Sequence, residues 1–180
     1  MKRYPTAIII VFLFLIAHAG YGQDQDISKA ENNRGSIVIS FSPSLGYVSK
    51  GADLDNLNDE GHFVPGIGLD IFYQFHPKWE IGTMIDYDLA HYVIPRKNDL
   101  ERDGAFIISA MTTYSINDNW NLSAGVGLEL ERHENVGLLR FGIGYVINLH
   151  NNWFIPIDNT LDIKPDYEAW SMAVGIGKSF

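Results

Sequence analysis

The chain has 180 residues, 46% of them hydrophobic and 13% aromatic, with a formal net charge of −9 and no cysteine. That length is one ordinary domain with room for an export segment. The missing cysteine excludes disulfides, thiolate metal sites, thiol catalysis and a lipid-modified cysteine anchor, and the acidic balance argues against nucleic acid as a partner, which needs a clustered basic surface.

Seventeen glycines and nine tyrosines beside only 19% charged residues lean towards β structure. Lys2 and Arg3 open the chain, followed by an apolar run from Ala7 to Ala17 and the small-residue stretch Ala17-His18-Ala19-Gly20-Tyr21-Gly22. These are the three regions of a secretory signal peptide. The run is eleven residues long, against the roughly 20 that a spanning helix needs. Cleavage after Ala19 or Gly22 is expected, and loss of residues 1–22 shifts the charge to −11. Residues 23–34 are polar and aperiodic, a flexible leader that the resemblance given below would place in the periplasm.

From Gly35 onwards apolar residues alternate with small or polar ones at period two, which is strand behaviour. Strands are expected near 36–48 and 62–75, then from Trp79 to about residue 90, where Trp79, Ile81, Thr83, Ile85, Tyr87 and Leu89 share a face. A strand near 105–116 precedes the cleanest one, Trp120 to Arg132, with Leu122, Ala124, Val126, Leu128 and Leu130 on one side. Leu139 to Leu149 repeats the pattern, and strands near 153–163 and from Trp170 to Phe180 complete eight. The turns at 76–78, 117–119 and 150–152 are tight, and a tryptophan follows each. The connections near 49–61, 95–104, 133–136 and 164–168 are longer or more charged. In an up-and-down meander the short turns therefore share one end with both termini.

Period two does not say which face points inward. A soluble ligand-binding barrel buries its apolar face, and a membrane barrel turns it to lipid. Four features favour lipid. The polar face carries ten glycines and almost no lysine, which suits a narrow lumen and not a water surface. The apolar face is too bulky for the inside of a small barrel. Trp79, Trp120, Trp153 and Trp170 all lie at strand ends, as an interface girdle requires. Each strand supplies about the 9–11 residues of a tilted membrane strand. The fold expected is all-β, an eight-stranded antiparallel up-and-down transmembrane barrel over residues 35–180. Pro43, Pro65 and Pro156 fall inside strands, so bulges or kinks are expected there. Lys178 falls on the lipid face, near enough to the terminus to reach the interface.

With these features in place, the chain resembles the small outer-membrane β-barrels of the OmpX-like and OmpA-transmembrane-domain-like families over about residues 35–180. The resemblance rests on the strand Trp170-Ser171-Met172-Ala173-Val174-Gly175-Ile176-Gly177-Lys178-Ser179-Phe180 with its terminal aromatic. It implies integral outer-membrane location, contact with outer-membrane lipid, and recognition of that strand by the outer-membrane assembly machinery. It also implies periplasmic short turns and termini, with the long loops outside. Nothing follows the barrel, unlike full-length OmpA-type proteins with their peptidoglycan-binding domain.

The lumen face holds Asp70, Glu80, Asp86, Asp88, Glu129, Glu131, Asp158 and Asp162, with Arg140 as the clearest cation. Buried carboxylates must be paired, hydrated or protonated, so a structural charge network around Arg140 is the simplest expectation. Asp86, Asp88 and His91 form a weak hydrolase-like set. Asp53, Asp55, Asp59 and Glu60 loosely resemble a calcium loop, but Leu57 stands where a ligand is needed and the required glycine is missing. His62, His91 and His133 lie towards one rim without a fixed mutual distance. No catalytic residue, metal site or cofactor is assigned. The role expected is structural or surface-interacting, with a narrow conduit, a secreted soluble barrel binding a hydrophobic ligand, and a lipid-modifying or proteolytic enzyme as alternatives.

Overall fold

The computed structural model describes residues 35–53, 61–96, 99–132 and 134–180. The expected signal peptide and leader, residues 1–34, therefore lie outside the described residues. So do Asp55, Asp59 and Glu60 of the acidic loop, and His133.

The strands are β1 (Ile37–Val48), β2 (His62–His76), β3 (Trp79–Asp88), β4 (His91–Ile94), β5 (Leu100–Asp103), β6 (Phe106–Ser115), β7 (Trp120–Leu130), β8 (Val136–Asn148), β9 (Trp153–Ile163), β10 (Glu168–Val174) and β11 (Ile176–Ser179). All pairings are antiparallel, and β1 joins β2 on one side and β10 and β11 on the other, so the sheet closes on itself. β10 and β11 form one barrel strand in a single register, interrupted at Gly175. The barrel thus has the eight strands that the alternation predicts, and closure leaves no ladder group unpaired at an edge, which hydrocarbon would penalise by several kcal/mol each.

The faces are inverted relative to a soluble protein. Among the described residues, 33 large hydrophobic side chains are exposed and 13 hydrophobic residues are buried. Phe63 is 64% exposed and Val126 59%, whereas Arg102 and Glu129 are fully buried. A surface this apolar is stable only where lipid covers it. Ring pairs mark both rims of the band. At the short-turn end the Trp79 and Tyr114 rings meet tilted at 4.8 Å and those of Trp120 and Tyr145 edge-on at 5.0 Å; at the other end Tyr47 meets Phe63 at 5.2 Å. Lys178 does face outward, and its ammonium lies 5.3 Å from the Trp153 ring and 5.2 Å from that of Phe180, so it reaches the interface along aromatic surface.

The prolines correct one expectation. The registers run without a shift through Pro43 opposite Ile67, Pro65 opposite Leu45 and Pro156 opposite Val146. No bulge forms at any of them. The irregularity in β2 falls elsewhere, between Gln74 and His76. What the prolines do cost is ladder continuity: the last strand splits where Gly175 faces Pro156, and only the Gly175 N–H donating to the Pro156 carbonyl at 3.0 Å spans that point.

The second finding concerns residues 95–104, expected only as a longer or more charged connection. β4 and β5 form a separate two-stranded hairpin, with Ile94 opposite Leu100 and His91 opposite Asp103. It continues the β3–β6 hairpin beyond the barrel rim and folds inward. Tyr92, Ile94 and Leu100 are at most 2% exposed and cluster with Val48, Val64, Val136 and Tyr167. The apolar core of the molecule therefore sits in the barrel mouth. Gly104 takes φ +67, and a Cβ there would lie 2.6 Å from the Tyr87 hydroxyl. Gly104→Ala is expected to loosen the hairpin by about 1–3 kcal/mol of left-handed backbone strain, read as faster limited proteolysis between residues 89 and 105 with the barrel intact.

Candidate functional site

Two charge networks fill the lumen, one at mid-depth and one under the mouth. The first is centred on Arg140, which is 3% exposed. β8 and β9 place Arg140 directly opposite Asp162, and the guanidinium grips that carboxylate with two bonds, Nε to Oδ1 at 2.7 Å and Nη2 to Oδ2 at 2.8 Å. Its remaining arm, Nη1, donates across the lumen to Asp86 of β3. Gly125 stands opposite Arg140 on β7, and a Cβ there would meet the Ala110 carbonyl at 2.1 Å and the Met111 sulfur at 2.4 Å. A bidentate fork with a third partner is the geometry in which a buried guanidinium is fully compensated.

The second network is centred on Glu129, fully buried near the outer end of β7. Arg102 of β5 reaches it from above, Nε to Oε1 at 2.8 Å. Lys164, from the turn after β9, forms an ion pair with the other oxygen, and the Tyr167 hydroxyl donates to the carboxylate at 2.7 Å. Glu131 lies 3.7 Å from Arg102, and the Glu134 carbonyl accepts from the same guanidinium at 2.5 Å. One buried carboxylate thus ties together the hairpin, β7 and the β9–β10 turn. On the outside, Arg96 bridges the loops again, pairing with Glu134 and Asp166, both at 2.5 Å.

Burial pushes the Tyr167 hydroxyl up to about 12, with Lys164 pulling the other way and Glu129 adding to the rise. Tyr92 is also held well above its ordinary value, first by burial and then by the neighbouring Tyr167 and Glu129. Because the folded-state pKa of Tyr167 exceeds its unfolded value of 10.0, the neutral phenol stabilises the closed mouth fully below pH 10. That contribution is lost as pH rises through about 12. In a spectrophotometric alkaline titration, Tyr167→Phe is expected to remove one late tyrosinate transition near pH 12 and to leave the earlier ones in place.

The other expected lumen residues are placed as follows. Asp70 accepts from Ser40 at 3.0 Å. Asp88 and Asp158 line a cavity of about 40 Å³ that also borders Asp70, Asp86, Asp162, Arg140 and Lys164, room for a few water molecules. Glu80 lies deeper, opposite Gln74 and Thr113 towards the short-turn end. Ser42, Ser44, Ser171 and Ala173 form the small-residue wall of the cavity.

The hydrolase-like set is not assembled. Asp86 is committed to Arg140, while His91 stands outside the barrel and bonds Glu101 at 2.7 Å across the hairpin. His62 stacks on Tyr92 and lies 3.6 Å from Asp53, so it and His91 are engaged separately. Arg102 and Lys164 are the functional cations missing from the expected set. Both sit in segments read as connections, where strand parity says nothing about direction.

Neither a protein-family model nor a curated protein matches the chain. Solved structures do share its fold. Ail, the attachment invasion locus protein of Yersinia pestis, superposes with TM-score 0.50 at 17% identity over 82% of this chain and 99% of that one. Neisserial surface protein A gives TM-score 0.55 at 11% identity over 82% and 100%. The outer membrane protein AlkL, determined in DMPC lipid bilayers, gives TM-score 0.55 at 13% identity over 88% and 96%. The architecture is that of the small eight-stranded outer-membrane barrels.

Proposed function

We propose that this chain is an integral outer-membrane barrel acting as a rigid, closed platform whose outer loops are its contact surface. The hairpin β4–β5 carries the reading. It fills the mouth with Tyr92, Ile94, Leu100 and Arg102, each at most 2% exposed, and an eight-stranded lumen is already narrow enough for side chains to fill. Loops positioned by such a scaffold are the usual place for recognition. Periplasmic termini, and engagement of the assembly machinery through the strand Trp170–Phe180, belong to the same reading. So does the absence of a catalytic step, since Asp86 and His91 are each engaged by other partners.

A narrow conduit is the second reading, and the cavity favours it: five aspartates border it against two cations, Arg140 and Lys164. Planar-bilayer recording separates the two. The platform reading expects no stable conductance from the wild-type protein. Sustained unitary steps with cation preference would replace it with the conduit.

A further inference from the structure

The inward residues of β1 are small: Ser40, Ser42, Ser44 and Gly46 precede Val48. On β2, Ser42 and Ser44 face Gly68 and Gly66. These short side chains open the cavity of about 40 Å³ along β1. A Cβ on Gly66 would lie 2.8 Å from Ser44 Oγ and 3.6 Å from Asp88 Oδ1, and one on Gly68 would lie 2.8 Å from Asp86 Oδ1. The two glycines thus hold a gap between hydroxyls on β1 and carboxylates on β3. Across β10 the register repeats the arrangement, with Ala173 between Ser44 and Asp158. Val48 and Val64 border the cavity and also belong to the apolar cluster beneath the hairpin, which covers its outer end.

The charges around this gap do not balance. Arg140 is divided between Asp162 and Asp86, and Lys164 is paired with Glu129. Asp70, Asp88 and Asp158 all border the cavity and have no ion-pair partner among the described residues. Independently, Ser42 borders the same cavity at 4% exposure, and its Oγ has no hydrogen-bond partner among the described residues. Buried groups of both kinds persist where something meets them. We infer that the cavity is a binding site for one small monovalent cation, sodium or potassium. Hydroxyl and carboxylate oxygens are the ligands that hard cations take, and acidic side chains around a narrow lumen select cations. A divalent ion suits the site less, because no three carboxylate or imidazole groups among the described residues converge to hold a metal directly. The cavity has room for a few waters, so the cation keeps part of its hydration shell while serving Asp88 and Asp158 together.

The inference rests on the closed-platform reading, and the experiment keeps the two apart. The protein is refolded into phosphatidylcholine vesicles and unfolded in urea in sodium, potassium or N-methyl-D-glucamine chloride at equal ionic strength. N-methyl-D-glucamine is too large for the cavity. Above the dissociation constant, each tenfold rise in sodium or potassium is expected to raise the folding constant about tenfold, with no such rise in N-methyl-D-glucamine. Asp88→Asn and Asp158→Asn keep the shape and remove one charge each. Both are expected to lose most of the dependence and to be more stable than wild type in N-methyl-D-glucamine, which a purely structural defect would not produce. Should either fail to fold, Ser42→Ala, which only removes an oxygen, is expected to raise the half-effective cation concentration several-fold. Equal midpoints for wild type in the three salts, or variants that keep the full dependence, would overturn the site. The cation-specific rise in a barrel that conducts in planar bilayers would uphold the site and overturn the closed platform instead.

Discussion

Arg140→Ala is expected to cost about 3–5 kcal/mol of barrel stability, read as a lower urea midpoint in refolding and unfolding with lipid vesicles. The size follows from what is left behind. Asp162 loses two bonds and Asp86 its partner, and the lumen offers them no substitute cation on β8 or β9. Replacing the pair together, Arg140→Met with Asp162→Leu, is expected to recover part of the loss, because only Asp86, the more exposed of the two carboxylates, is then left without its partner. A single variant as stable as wild type would mean that water in the cavity already screens these charges.

Glu129→Ala is expected to cost a similar amount, with a different readout. It strands Arg102 and Lys164, both essentially fully buried, and frees Tyr167. These three partners sit on the hairpin and the β9–β10 turn, so the loss falls on the cap and not on the β ladder. Limited proteolysis between residues 89 and 105 should accelerate at least tenfold, since 1.4 kcal/mol already corresponds to a factor of ten in the open population. Gel mobility before boiling should remain that of the folded barrel. Conductance steps absent from wild type are expected to appear with it. A Glu129→Ala protein whose hairpin resists protease as before would show that apolar packing of Tyr92, Ile94 and Leu100 closes the mouth without the ion pairs.

The barrel was legible because its physics is local. Alternation such as Leu122, Ala124, Val126, Leu128 against Ser123, Gly125, Gly127, Glu129 fixes both strand identity and the two faces, and the tryptophans mark the band. The Arg140–Asp162 contact was nearly legible too. The tight turn at residues 150–152 sets the β8–β9 register, and that register puts the two residues opposite each other. The hairpin β4–β5 was hidden for physical reasons. His91–Ile94 is short and runs into Pro95, while Leu100-Glu101-Arg102-Asp103 has no apolar period. What holds it is Glu129, distant in sequence, so no local pattern announces it. The bulge half of the proline expectation failed because a removed donor was equated with a shifted register. In a closed barrel the neighbouring ladder bonds hold the register, and the cost is confined to the break at Gly175.

The central claim is that the apolar face of this barrel lies against lipid, and tryptophan quenching by brominated lipids tests it most directly. Trp79, Trp153 and Trp170 are among the exposed girdle residues. After refolding into vesicles, their emission is expected to be blue-shifted and quenched by lipids brominated near the headgroup more than by those brominated near the chain end. Unquenched emission from a protein that remains in the aqueous phase would contradict the account.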